Sequence, residues 1–265
     1  MAPATVWVAF VLAACAGCTN ACAMLGVFHA PGLKATGVTH VTGSFTKLGM
    51  ILARSDAHSA PALAVLGYVV GSAGAGAFIP PGLASARLAV PCGAMLIATA
   101  VLLVGAAALQ EVDHGHGFGF VPLFCAALAS GAQNGMATSV SSSIVRTTHM
   151  TGCATDIGLI VGRGLSRRLL RAGATPPDTV GGVFTHAEAN RLGLYLRLAT
   201  GFVGGAAGGT ALVENLDLKY ARALYVPAAV LFALGALAIG SGPTARGDRP
   251  LRTAELARLE PGSDS

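Results

Sequence analysis

Six stretches of this chain, 5–28, 60–83, 88–109, 118–145, 198–213 and 223–242, contain no Asp, Glu, Lys or Arg. A helix that crosses the hydrocarbon core of a bilayer needs about 20 predominantly apolar residues. All but 198–213 reach that length, and this one is expected to draw residues from 192 onward. Lipid offers no partner to bare backbone amides and carbonyls, so helices are the expected form of each stretch. Only 11% of the 265 residues are charged, where soluble domains carry roughly 25%. That is too little to coat a globule in water. The expected fold is all-α, a polytopic transmembrane helical bundle.

Two further segments, 36–53 and 147–162, are shorter, rich in Thr and Gly, and carry a charge near the middle. They are also alike. Thr39-His40-Val41-Thr42-Gly43 returns as Thr148-His149-Met150-Thr151-Gly152, and the ungapped alignment of 39–54 with 148–163 keeps eight of sixteen residues. Thr19-Asn20 before the first copy resembles Gln133-Asn134 before the second. Gly67-Tyr68-Val69-Val70-Gly71 after it resembles Gly201-Phe202-Val203-Gly204-Gly205. Because these features keep their order, the chain reads as two repeats, each with three strong spans and one short polar helix. The repeats are placed at 1–109 and 120–242, joined by an acidic linker at 110–119 and followed by a polar cytoplasmic tail at 243–265.

Whether the short polar helices cross decides the architecture. If they are re-entrant or broken, each repeat crosses three times and the two lie inverted, the arrangement common in secondary transporters. If they cross, the repeats are parallel. In the six-span arrangement one face holds twelve Lys and Arg and the other five. Basic residues favour the cytoplasmic side, so both termini are expected there, in a bacterial inner membrane.

The polar pair ending the first span, the Thr-His-x-Thr-Gly segment and the glycine-rich spans, all repeated, resemble the YoaK family of bacterial integral membrane proteins, a domain of unknown function. The likeness covers about residues 8–240. It implies an acidic residue near the end of the first span, where this chain has Asn20. It implies the class of protein and no activity.

In a helical segment, residues seven apart share a face. His40 would then sit above Lys47, and His149 above Asp156, with Thr42 and Thr151 on adjoining stripes. Ionisable groups at membrane depth are costly and usually face protein or water. Lys47 and Asp156 are therefore expected to pair near a pseudo-twofold axis, with the histidines placed to carry protons near neutral pH. Asn20, Gln133 and Asn134 could line a solute path beside them. Each of these residues also has a purely structural reading: snorkelling for the charges, interhelical hydrogen bonds for the amides and threonines.

No cofactor is expected, and no metal site. Cys15, Cys18 and Cys22 share a helix face, but without carboxylates near them they read as packing residues. Asp113-His114-Gly115-His116 reads as a solvated loop. Leu12-Ala13-Ala14-Cys15 resembles a lipoprotein cleavage box, but no Lys or Arg precedes it and the apolar run continues, so a first span is expected. Arg146, whose first-half equivalent is Gly37, could hold an anion but reads first as a membrane-surface residue. The arginines of 163–197 and 245–258 are not interleaved with aromatics, so nucleic acid is not an expected partner. Neither Gly-x-Ser-x-Gly nor His-Glu-x-x-His occurs, so an enzyme is not expected. Two functions stand: a permease for an unknown small solute, with protons as the candidate coupling ion, or a non-transporting membrane scaffold or assembly protein. The lipid bilayer is the expected partner in both, and a homo-oligomer is compatible with either.

Overall fold

The computed structural model describes residues 3–28, 35–54, 59–79, 88–113, 120–141, 145–170, 179–180, 183–215 and 222–241. Eight α-helices lie among them: α1 (Pro3–Met24), α2 (Val41–Arg54), α3 (Ala60–Phe78), α4 (Ala89–Asp113), α5 (Phe120–Val140), α6 (Met150–Leu170), α7 (His186–Glu214) and α8 (Tyr225–Gly240). The only strands described are a two-residue pair, β1 (Thr179–Val180) and β2 (Phe184–Thr185), just before α7. The tail from 242, and 114–119 of the acidic linker with the His-Gly-His run, lie outside the described residues.

Five segments are long and apolar enough to cross a membrane: Val6–Met24, Ala60–Phe78, Ala89–Val112, His186–Glu214 and Arg222–Gly240. The chain is a multi-pass membrane protein. α5 has the length but not the hydropathy, because Ser130, Gln133 and Asn134 interrupt it. Its position explains this. Leu123, Ala126, Ala127, Ala129, Gln133 and Met136 are all buried, so much of α5 faces other helices and needs less apolar surface. Large apolar side chains on the other spans point outward instead, among them Leu66 and Val69 on α3, Val101 on α4, Val203 on α7 and Leu237 on α8. Such a surface suits acyl chains.

α7 is longer than its charge-free core. Its entry is fixed by a capping box: the Thr185 hydroxyl accepts from the Glu188 amide at 3.2 Å, and the Glu188 carboxylate accepts from the Thr185 amide at 3.0 Å. Two orphan amides of the first turn are thus satisfied. Arg167, near the end of α6, clamps the same carboxylate with two hydrogen bonds of 2.6 and 2.8 Å and donates to the Val183 carbonyl. The corner between α6 and α7 is therefore stiff.

Glycines set which helices touch. On α3, a Cβ at Gly67 or Gly71 would collide with the carbonyl oxygens of Phe124 or Leu128 on α5. On α7, a Cβ at Gly201 or Gly205 would collide with those of Phe10 or Ala14 on α1. From the other sides, Gly131 of α5 lies against the Tyr68 carbonyl, and Gly17 of α1 against that of Phe202. Only hydrogen in place of a side chain lets backbones approach this closely. In each of these two seams the paired residue numbers rise together, so α3 runs parallel to α5, and α1 parallel to α7. α4 and α8 are antiparallel: Gly93 meets Gly235 and Ile239, and Glu111 at the far end of α4 bonds Arg222 just before α8 at 3.1 Å.

Candidate functional site

The two Thr-His-x-Thr-Gly segments fold the same way. The amide of Thr39 donates to Asn20 Oδ1 at 3.1 Å, and that of Thr148 to Asn134 Oδ1 at 3.3 Å. Each amide side chain, near the end of α1 or α5, thus holds the following chain against its own helix. A helix then starts one residue beyond the histidine. The His40 carbonyl accepts the Ser44 amide at 3.1 Å, and the His149 carbonyl the Cys153 amide at 3.2 Å. Each histidine therefore occupies the N-cap, and Gly43 and Gly152 stand three positions into the helix. A Cβ on Gly43 would come within 2.7 Å of the His40 ring, and one on Gly152 would overlap the ring of His149. Each imidazole folds back over its glycine. The threonines close the motif, Thr42 accepting from Thr46 at 3.1 Å and Thr151 from Thr155 at 3.0 Å.

Both helix starts open onto one cavity of about 650 Å³. Its wall carries residues from both halves: Asn20 and Asn134, Thr39 and Thr148, His40 and His149, Thr42 and Thr151. Tyr68 and Phe202, from the middles of α3 and α7, face it too, with Val41, Phe45, Thr138, Arg146 and Met150. The volume falls in the range of small-molecule pockets, roughly 300–1,000 Å³. Tyr68 Oη and Thr148 Oγ1 are 2.6 Å apart, a hydrogen bond that Phe202 has no hydroxyl to match.

Three residues expected at the site lie elsewhere. Gln133 is buried in the seam between α5 and α1, where its Nε2 donates to the Leu12 carbonyl at 2.7 Å. Lys47 donates from Nζ to the Ala35 carbonyl at 3.0 Å. Asp156 lines a second cavity of about 420 Å³ with Arg146, His149 and Tyr195. Lys47 and Asp156 do not pair. The reason is that α2 and α6 do not pack along one another: each lies instead on the helix that follows it, α2 on α3 and α6 on α7. Tyr68, Phe45 and Thr138 line the cavity without having been expected there, and Arg146, expected first at the membrane surface, lines it too. The alignment of 67–71 with 201–205 held the signal for Tyr68, since it set a tyrosine opposite a phenylalanine.

Among the described residues no three of His, Cys, Asp and Glu come together as metal ligands. Cys15, Cys18 and Cys22 are free and buried in the core.

A family model for a protein of unknown function matches residues 8–237, from α1 into α8. The chain belongs to the DUF1275 family. That match spans α2 to α7 of this DUF1275 protein in full, most of α1 and α8, and every residue named in the cavity wall. No curated protein and no solved structure matches the chain.

Proposed function

We propose that this DUF1275 protein is a non-enzymatic permease that moves a small solute through the cavity between two inverted repeats. Helix directions support the inversion. Each crossing reverses the chain. If α2 and α6 both stay short of crossing, α1, α3, α4, α5, α7 and α8 alternate. That order makes α1 parallel to α7, α3 parallel to α5, and α4 antiparallel to α8, as their contacts have them. If both crossed, α4 and α8 would be parallel. If one alone crossed, α1 and α7 would be antiparallel. In the reading proposed, α2 and α6 enter from opposite faces and present their N-termini to a common space. Both termini and the Arg167–Glu188 corner then share the more basic face, the cytoplasmic one by charge bias. The acidic linker lies on the other.

The observation that carries the reading is that matching residues of both halves line one cavity beside the middles of α3 and α7. A packing role alone would leave that seam closed. Inverted repeats can open such a space to either side in turn. The test is uptake into proteoliposomes from solute mixtures, read by mass analysis of vesicle contents. At least one solute should enter faster than into empty vesicles, and Thr42→Trp with Thr151→Trp, which fill the cavity, should stop it. If none enters beside folded wild-type protein, the scaffold function takes its place.

A further inference from the structure

We infer that the cavity binds a small organic monoanion, held by Arg146 between the two helix starts. The identification deepens the permease reading and rests on it only for the use made of binding. The wall of the cavity carries one charged side chain, the Arg146 guanidinium, and no Asp or Glu among the described residues. No described carboxylate forms an ion pair with it. Arg146 is exposed at the edge of the cavity, so its guanidinium is free to meet an anion that enters from water.

Arg146 is also where the two halves cease to match. Its counterpart is Gly37, where a Cβ would press on Asn20 Oδ1 at 2.8 Å and on His40 Cβ at 3.3 Å. The first half has no room for a side chain at that position, so the cavity receives its cation from the second half alone. The starts of α2 and α6 add to the same sign. First-turn amides have no acceptor within a helix, and each helix start carries about half a positive charge. Two of them open here, from opposite halves, with the hydroxyls of Thr42 and Thr151 as further donors.

Charge and shape narrow the class. Asp156 shares the neighbouring cavity with Arg146 and His149 and offsets part of this positive field, which suits one negative charge better than two. Phe45 and Phe202 add apolar wall to the same cavity. A carboxylate on a compact apolar body fits both. It would accept a paired, charge-assisted bond from the guanidinium and bury its remainder against the rings.

Calorimetric titration and thermal unfolding of the full chain in an uncharged detergent test this directly. The probes are acetate, lactate and benzoate, each beside its amide, then inorganic phosphate and phosphatidylglycerol. The carboxylates should bind and raise the unfolding temperature, benzoate most, while the amides do neither. Arg146→Gln should weaken benzoate roughly tenfold to a hundredfold, and Arg146→Lys should restore most of it. Equal binding of benzamide, or undiminished benzoate binding by folded Arg146→Gln, overturns the inference; so does a response to phosphate or phosphatidylglycerol alone. Should Arg146→Gln fail to fold, the comparison of acid with amide on the wild type still decides. Binding without uptake would sink the permease and leave the anion site; uptake of neutral or cationic solutes alone would do the reverse.

Discussion

Gly93 of α4 and Gly235 of α8 face each other, each with the other's carbonyl oxygen where its own Cβ would stand, 2.6 and 2.7 Å away. No side chain fits in that crossing. Gly93→Val or Gly235→Val should therefore force the two helices apart. Overpacking of this kind costs about 1–3 kcal/mol. Thermal unfolding in detergent should fall for either variant, whereas Gly105→Val, at a position with open space around it, should leave it nearly unchanged.

The two anchoring amides should be unequal. Asn20 accepts one amide, that of Thr39, while Asn134 accepts the Thr148 amide and, at 3.5 Å, the Thr147 hydroxyl. Thr147 is fully buried. A buried donor without an acceptor costs about 1–3 kcal/mol. Asn134→Ala should thus destabilise more than Asn20→Ala. Asn20→Asp keeps an oxygen facing Thr39 and should be tolerated at neutral pH. Unfolding temperatures of the three variants check the order.

Much of this arrangement is legible in the sequence. Freedom from charge marked six helices, five of them long and apolar enough to cross a membrane, since long uncharged runs have few homes other than a bilayer. The 39–54 and 148–163 copies pointed to two matching polar helices, and the structure gives both the same start. What misled was their phase. A seven-residue spacing puts His40 above Lys47 only if both are inside one helix, and His40 is the cap that precedes it. Helix α2 then leans on α3 instead of on α6, and the charge pair dissolves. The start of α7 was legible but passed over: Thr185-His186-Ala187-Glu188 has the spacing of a capping box. For Arg146 the surface and the anion readings stayed side by side, because nothing in a sequence says which side of a loop a single arginine faces.

Gly152→Ala should separate stability from function. Alanine gains up to about 1 kcal/mol over glycine within a helix, and the obstacle here is the ring of His149, an exposed side chain that can swing aside. The variant should unfold at the same or a higher temperature. Its imidazole, displaced from the start of α6, should no longer face the cavity as before, and solute binding should weaken. Loss of stability together with unchanged binding would contradict that account.

The capping box of α7 predicts a graded pair of effects. Thr185→Ala removes the hydroxyl acceptor of the Glu188 amide and should cost about 1 kcal/mol. Glu188→Gln keeps an acceptor for the Thr185 amide but gives up the paired bonds to Arg167. It should loosen the α6–α7 corner without unwinding α7. Hydrogen exchange of 183–190 would show it: faster in Thr185→Ala throughout the first turn, and in Glu188→Gln mainly at 183–185.

The crossing count makes the sharpest prediction, because it fixes which ends share a face. Cysteines can be placed singly at Leu52, Leu169, Arg222 and Ser241 after the six native ones are replaced by alanine; none of the six is exposed. With six crossings, positions 52 and 222 lie on one face of the membrane, and 169 and 241 on the other. With eight, position 52 moves to the face of 169 and 241 and parts from 222. An impermeant maleimide applied to right-side-out and inverted vesicles separates the two patterns. The bond between Glu111 and Arg222 already argues for the first, since eight crossings would put a bilayer between its partners. Labelling of 52 and 222 from opposite sides would end the inverted arrangement and, with it, the idea that α2 and α6 reach one cavity from opposite faces.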